Sequence, residues 1–220
     1  MPLHFQPPII YLITSGATRP DSNQASEDFQ AVLALVRASV KARVSFVQLR
    51  EKNLPARTLY ELTARCAAIT EGTQTRLLVN DRADIARAAG ADGVHLSTRS
   101  LEAPVVRRAF GEAFLMGVST HTFEEARAAR DGGADFAVFG PVFDTPSKNP
   151  YGSPVGLEAL RASAQTLKPF PLIALGGVTL ENAAAALLAG ASGLAAIRAL
   201  GDARHLKETV RALRGEDGML

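Results

Sequence analysis

Short apolar runs alternate along the chain with longer amphipathic stretches that are rich in alanine. The apolar runs are continuous rather than alternating with polar residues, which is typical of parallel strands covered on both faces. The pattern predicts eight strands, over residues 9–14, 44–49, 77–80, 93–96, 115–119, 136–139, 172–175 and 194–197. It predicts helices after them, over residues 28–40, 55–71, 83–89, 102–110, 122–131, 157–167, 179–189 and 204–213.

Eight βα units in 220 residues predict the α/β class and a single (β/α)8 TIM barrel. We expect one domain over residues 1–220, with an N-terminal extension at 1–8 and a C-terminal tail at 214–220. An open doubly wound sheet is the alternative. It would favour a Gly-x-Gly-x-x-Gly segment at the first βα turn, and residues 15–20 do not provide one.

Three similar segments support the barrel, at residues 89–94, 132–137 and 189–194. Each places a glycine where a predicted helix ends before the next strand, a position that favours the left-handed conformation. Asp92 and Asp135 in two of these turns are predicted to cap backbone groups.

Composition and charge limit the functional classes. A hydrophobic fraction of 47% with a mean hydropathy of +0.07 is typical of an ordinary packed core, and a net charge of +2 does not indicate a nucleic-acid partner. Cys66 is the only cysteine, so no intrachain disulfide is possible. No apolar stretch reaches the roughly 18 residues that a membrane-spanning helix needs. We expect a cytoplasmic protein without a membrane or nucleic-acid partner; the sequence does not indicate an oligomeric state.

An amide, a guanidinium and an ammonium group follow the second predicted strand at alternating positions, Gln48, Arg50 and Lys52. Side chains two residues apart share a face of an extended segment. Such a face suits a multiply charged anion, such as phosphate or pyrophosphate. A strand end with a solvated basic tip is the alternative.

Polar groups and glycines follow the other predicted strands, at the end of a barrel where active sites lie. They are Asn80 and Asp81 after the third strand, Ser119 and His121 after the fifth, Gly176 and Gly177 after the seventh, and Ile197 and Arg198 after the eighth. The last two turns match a common barrel phosphate site, although tight turns explain the glycines equally well. The long connection over residues 144–155 offers Thr145, Ser147 and Lys148 to a second anionic group, or is a solvated turn.

Over residues 11–200 the chain resembles the superfamily of thiamine phosphate synthases and thiazole tautomerases, which are TIM barrels. Six motifs carry the resemblance, in order: Gln-Leu-Arg-Glu-Lys at 48–52, Val-Asn-Asp-Arg at 79–82, Gly-Val-His-Leu at 93–96, Gly-Val-Ser-Thr-His-Thr at 117–122, Gly-Pro-Val-Phe with Thr-Pro-Ser-Lys within 140–148, and Gly-Gly-Val-Thr at 176–179.

The resemblance implies a synthase that joins hydroxymethylpyrimidine pyrophosphate to thiazole phosphate after pyrophosphate has left. It implies a pyrimidine pyrophosphate site made by Gln48, Arg50, Lys52, Asn80, Ser119 and Lys148, and a thiazole phosphate site made by Thr145, Ser147, Gly176, Gly177, Ile197 and Arg198. It further implies Mg²⁺ at Asp81, a pyrimidine pocket lined by Tyr11, and catalytic roles for Arg50, His121 and Lys148.

The segment after the fourth strand departs from the synthase pattern. Synthases resembling this chain have Gly-Gln-Glu-Asp there, whereas this chain has Ser-Thr-Arg-Ser at 97–100, so Ser100 replaces a second magnesium ligand and Arg99 adds a positive charge. Asp81 is expected to bind Mg²⁺ more weakly alone. The change resembles the metal-free tautomerases, which use a histidine matching His121, although Asp81 argues against that branch. A noncatalytic thiamine-pathway phosphate binder or regulator is the third possibility.

Other ionisable residues are predicted to be structural. His95 lies within an apolar strand and is expected to be a packed, hydrogen-bonded core residue. His4 and His205 are predicted at the surface. Arg107, Arg108 and Lys168 are predicted on solvated helix faces.

Overall fold

The computed structural model describes residues 7–144 and 154–216. Its strands pair in parallel in chain order and close into one barrel, with β1 beside β8. The strands are β1 (Ile9–Ile13), β2 (Phe46–Leu49), β3 (Arg76–Asn80), β4 (Gly93–Leu96), β5 (Leu115–Thr120), β6 (Phe136–Phe139), β7 (Leu172–Leu175) and β8 (Gly193–Ala196).

A helix follows each strand. The helices are α1 (Glu27–Lys41), α2 (Ala56–Thr70), α3 (Ala83–Ala88), α4 (Ala103–Phe110), α5 (Phe123–Asp131), α6 (Gly156–Leu167), α7 (Leu180–Leu188) and α8 (Leu206–Leu213). The predicted TIM barrel is confirmed, and its elements begin and end close to the predicted residues. None of the helices in the described ranges is long and apolar enough to cross a membrane. The division into one domain with a terminal extension and tail remains a prediction.

Two apolar clusters explain why the strands are continuously hydrophobic. The larger cluster lies between the strands and the helices, and the smaller fills the barrel interior, because successive strand residues face opposite sides. In the interior, Phe46 and Phe136 stack with their ring centroids 4.8 Å apart, and Tyr11 meets both rings edge to face. These aromatic rings form a rigid apolar floor below the polar ends of the strands.

The turns at the amino-terminal end of the strands follow the predicted pattern. Gly90, Gly133 and Gly190 have positive φ angles of 77°, 85° and 98°, respectively. Asp92 accepts a hydrogen bond of 2.8 Å from the Leu77 backbone N–H, and Asp135 caps a neighbouring strand in the same way. This end of the barrel is therefore structural.

The prediction for Arg107 was wrong. Its side chain is only 10% exposed and donates to Asp135 at 2.9 Å and to the Gly133 and Phe114 carbonyl oxygens. The guanidinium therefore satisfies carbonyl groups beneath the barrel. The helical periodicity of the sequence did not reveal these partners, because they belong to two separate turns, one before β5 and one before β6.

Candidate active site

The carboxyl ends of β1 to β5 bring polar side chains together inside the barrel mouth. Strand alternation directs Gln48 and Asn80 inward, and Gln48 is only 2% exposed. The register places Asn80 beside His95 and His95 beside Gly117 on the three neighbouring strands. Residues far apart in the sequence thus occupy one layer above the aromatic floor.

A continuous series of hydrogen bonds links this layer, and we call it the strand-end network. Its successive separations are 2.7, 2.9, 2.9, 3.1 and 2.9 Å. Its members, in order, are Asp81, Asn80, Gln48, Tyr11, His95 and Ser119. Three of the predicted ligand contacts, Gln48, Asn80 and Ser119, are therefore held by one another or by buried partners before any ligand binds.

Two members of the network are buried in the barrel interior. Tyr11 is completely buried, and burial raises the pKa of its phenol well above the usual value. His95 is 2% exposed, and burial lowers its pKa to about 4, with a smaller opposing effect from Asp81. The core placement predicted for His95 is confirmed. Tyr11 lies beneath Gln48 in the network, and its role in lining a pyrimidine pocket remains a prediction.

Asp81 follows β3 and occupies a constrained position, with a left-handed φ of 60°. Its Oδ1 accepts a hydrogen bond of 2.8 Å from the Ser97 N–H and another from the Ser100 hydroxyl, while Oδ2 accepts from Asn80. Burial acts to raise the pKa of Asp81, but the hydrogen bonds from Ser100 and Ser97 and the charge of Lys52 outweigh it and lower the pKa. The carboxylate is thus kept ionised.

The surroundings of this carboxylate are positively charged. The pKa of Lys52 is lowered by burial and by repulsion from Arg50 and Arg99, while Asp81 opposes the shift. The backbone of Arg50 is fixed by a hydrogen bond of 2.8 Å from its N–H to the Thr14 hydroxyl. Neighbouring cations that repel one another in this way favour the binding of a multiply charged anion at the mouth of the barrel.

Glu51 is a structural residue of the site that the sequence analysis did not single out. It is 2% exposed, and its Oε2 accepts hydrogen bonds from the Thr18 hydroxyl at 2.6 Å and the Thr18 N–H at 3.2 Å. It thereby fastens the loop after β1 to the loop that carries Arg50 and Lys52. The sequence signal for this structural role was the position of Glu51 between Arg50 and Lys52. In an extended segment, that position directs its side chain to the face opposite to theirs.

His121 lies apart from the strand-end network. Its Nδ1 contacts the Gly140 carbonyl oxygen, and its ring lines an open groove of about 540 Å³ together with Phe123, Phe139 and Val155. The described residues therefore place this histidine beside the loop after β6 rather than beside Ser119. Its predicted catalytic role is a proposal that depends on ligand binding at that side of the mouth.

The two glycines after β7 have a packing role that is clear from the structure. Gly176 and Gly177 have φ angles of 96° and 66°, and a Cβ at Gly176 would lie 2.6 Å from the Cα of Pro141. They let the segment after β6 lie directly over the end of β7. Because Leu175 pairs with Ala195, Gly177 and Ile197 follow neighbouring strand ends, as a shared phosphate site requires.

Part of the predicted second anion site lies outside the described residues. Thr145, Ser147 and Lys148 belong to residues 145–153, so their predicted contacts are not placed. Arg198 is exposed immediately beyond β8. The thiazole phosphate site therefore remains a prediction.

The chemistry of Asp81 suits a magnesium ion that takes most of its ligands from substrate and water. Oδ1 already accepts two hydrogen bonds, whereas Oδ2 accepts one from Asn80 and keeps a lone pair. The described residues contain no group of three or more His, Cys, Asp or Glu side chains that could hold a metal. A single carboxylate with substrate phosphates is a recognised way to bind Mg²⁺.

The fold and this site define a (β/α)8 barrel with a preorganised, positively charged polar site at the carboxyl ends of its strands. A family profile described as thiamine monophosphate synthase matches residues 11–200. The chain therefore belongs to the thiamine monophosphate synthase family.

Named relatives agree with this assignment. The chain is 46% identical to a putative thiamine-phosphate synthase of Geobacter sulfurreducens, over 93% of this chain and 92% of that protein. It is 42% identical to a thiamine-phosphate synthase of Moorella thermoacetica, over 84% and 90% of the two chains. The solved thiamine phosphate pyrophosphorylase from Pyrococcus furiosus is 28% identical and superposes with a TM-score of 0.77, covering 97% of this chain and 98% of that one.

Proposed function

We propose that this protein joins hydroxymethylpyrimidine pyrophosphate to thiazole phosphate, which yields thiamine phosphate and pyrophosphate. The observation that carries the proposal is the charge environment of Lys52 at the barrel mouth, where its ammonium is repelled by Arg50 and Arg99 and attracted by the carboxylate of Asp81. The relatives named as synthases support the same reaction. Neither the tautomerase nor the noncatalytic binder is favoured by these relatives.

In the proposed reaction, the bond between the pyrimidine methylene carbon and the pyrophosphate oxygen breaks, and its electron pair leaves with pyrophosphate. The lone pair of the thiazole nitrogen then forms the new carbon–nitrogen bond. Arg50 and Lys52 stabilise the negative charge that develops on the leaving group, which is the main demand of such a step. The fixed Gln48 and Asn80 side chains orient the pyrimidine diphosphate ester over the aromatic floor.

The lowered pKa of Asp81 keeps a carboxylate beside these cations. We propose that Asp81 holds Mg²⁺, which would supply further positive charge to the leaving pyrophosphate when bound. Ser100 contributes a hydrogen bond to Asp81 where the synthase pattern has a second carboxylate. We therefore expect a requirement for Mg²⁺ that is met only at higher ion concentrations.

The second half of the site is proposed from the resemblance and the strand order. Gly176, Gly177, Ile197 and Arg198 are proposed to hold the thiazole phosphate, together with Thr145 and Ser147. Lys148 and His121 are proposed to complete the catalytic group. We also propose that the protein acts in the cytoplasm. Its expected partners are small phosphorylated molecules, and nucleic acid is not expected among them.

A coupled assay tests the proposed reaction. Purified protein is given both substrates over a range of Mg²⁺ concentrations, and thiamine phosphate is measured by its oxidation to the fluorescent thiochrome ester. Product that increases with enzyme and with Mg²⁺ supports the proposal. Absence of product at every Mg²⁺ concentration contradicts it, and conversion of a thiazole carboxylate phosphate to its aromatic tautomer in the same preparation would favour the tautomerase reading.

A further inference from the structure

The hydrogen-bond direction in the strand-end network can be worked out from its carboxylate end. A carboxylate accepts hydrogen bonds and donates none, so the Asn80 atom 2.7 Å from Asp81 is the amide nitrogen. The other polar atom of the Asn80 side chain, 2.9 Å from Gln48, is therefore the oxygen. Gln48 meets it with its nitrogen and turns its own oxygen toward Tyr11. These contacts alone determine which amide atom is the oxygen and which is the nitrogen in the Asn80 and Gln48 side chains.

The same reasoning fixes the protons of the two buried rings. The single phenolic proton of Tyr11 is donated to Gln48 Oε1, at 2.9 Å, because that oxygen carries no proton. The Tyr11 oxygen must then accept from His95 Nδ1, at 3.1 Å. A neutral imidazole has one N–H group, so Nε2 of His95 is unprotonated, and the Ser119 hydroxyl 2.9 Å away donates to it.

The packing around His95 keeps this arrangement in place. Phe136 lies against the rings of both Tyr11 and His95, with centroid separations of 5.7 and 6.2 Å. Gly117 lies beside both Phe136 and His95, since a Cβ there would lie 2.8 Å from His95 Nδ1 and 2.3 Å from the Phe136 ring. The imidazole is therefore closely packed against Phe136 and Gly117, and its two ring nitrogens face Tyr11 and Ser119.

We propose that Tyr11 and His95 are positioning residues that hold the Ser119 proton toward the barrel interior, so that Ser119 presents only oxygen lone pairs to the ligand. Such a hydroxyl accepts a hydrogen bond from an amino group or faces an electron-poor carbon. It has no proton to give to a phosphate oxygen. The inference deepens the proposed function: it assigns Ser119 to the pyrimidine part of the substrate, and leaves the pyrophosphate to Arg50 and Lys52.

The tautomer of His95 in the free protein tests the direction of the network. Protein labelled with ¹⁵N at its four histidines is measured by long-range ¹H–¹⁵N spectroscopy near neutral pH, with His95→Asn used to assign the signals. We expect a neutral ring with the proton on Nδ1. Tyr11→Phe removes the acceptor of that proton together with the hydrogen bond to Gln48, so the fraction with the proton on Nε2 should rise, whereas Tyr60→Phe on exposed α2 should leave the spectrum unchanged.

A native ring protonated on Nε2 overturns the proposal, as does a Tyr11→Phe spectrum identical to the native one. If Tyr11→Phe does not fold, the native spectrum alone still decides. This result is independent of turnover: the expected tautomer in a protein that makes no thiamine phosphate would contradict only the proposed function.

Binding by Ser119→Ala tests the consequence for the ligand. The probes are hydroxymethylpyrimidine without phosphate and inorganic pyrophosphate, each titrated calorimetrically into the native protein and the variant. Loss of one hydrogen bond is expected to weaken pyrimidine binding about fivefold to tenfold. Pyrophosphate binding should stay within about twofold. A loss confined to pyrophosphate, or no loss with the pyrimidine, would contradict the assignment.

Discussion

The backbone N–H of Ser97 lies 2.8 Å from Oδ1 of Asp81, so the loop that follows β4 is fastened to the residue that follows β3. The Ser100 hydroxyl donates to the same oxygen. A position where the synthase pattern has a carboxylate thus carries a hydroxyl that orients Asp81, the proposed metal ligand. This exchange makes Asp81 a fixed, hydrogen-bonded carboxylate and leaves Arg99 nearby as an additional cation.

Replacing Ser100 tests this exchange. Ser100→Asp places a second carboxylate beside Asp81, so the Mg²⁺ concentration for half-maximal activity should fall roughly tenfold. Ser100→Ala is the control, since it removes the hydrogen bond without adding charge. Equal Mg²⁺ dependence of the native protein and Ser100→Asp would contradict the role of Asp81 in metal binding.

The buried imidazole predicts a pH dependence of stability. The pKa of His95 is about 4 in the folded protein against an ordinary 6.5, so the unfolded chain binds more protons between these values. Protonation of His95 therefore does not reduce the free energy of unfolding above about pH 6.5, and it reduces that free energy progressively as the pH falls toward 4. The lowered pKa of His95 corresponds to a decrease in the free energy of unfolding on the order of 3 kcal/mol.

The free energy of unfolding, measured in urea at pH 7 and pH 4.5, checks this prediction. His95→Gln should unfold more easily at pH 7 but show a smaller decrease between the two pH values. His205→Gln, at the exposed start of α8, should retain the native decrease. A native-like decrease in His95→Gln would assign the pH dependence to other groups.

Glu51 and Thr18 should be energetically coupled. Their two hydrogen bonds are buried, so Glu51→Ala and Thr18→Ala should each destabilise the protein by about 1 to 3 kcal/mol. The double variant should lose less than the sum of the two single losses. Both single variants should also reduce kcat/KM, because Arg50 and Lys52 flank Glu51. Additive losses in a double-mutant cycle would show that the contact does not connect the two loops.

Gly117 should not tolerate a side chain. Its Cβ would lie 2.3 Å from the Phe136 ring and 2.8 Å from His95, which is overpacking within the barrel. We expect Gly117→Ala to destabilise the protein by about 1 to 3 kcal/mol. Thermal unfolding measures the loss, and a second variant, Gly117→Ala with Phe136→Leu, should recover part of it. An unchanged melting temperature in Gly117→Ala would mean that the rings have room to move.

The sequence was sufficient to predict the barrel because each strand is a short continuous apolar run and each helix is amphipathic. It was also sufficient to place Gln48, Asn80 and Asp81 at one end of the barrel, since the ends of parallel strands meet there. The contact of Tyr11 with His95 spans 84 positions and depends on the register of four strands, β1 to β4. The buried setting of Arg107 likewise depends on partners in two separate turns. Neither contact leaves a local pattern in the chain.

The formation of thiamine phosphate with release of pyrophosphate tests the central claim most directly. Phosphorus NMR of a reaction with both substrates and Mg²⁺ measures the two products in one sample. We predict that the native protein forms them in equal amounts and that Arg50→Ala lowers kcat/KM by roughly a hundredfold, since it removes a cation from the leaving group. Native protein that releases no pyrophosphate, or that releases it without forming thiamine phosphate, would contradict the account.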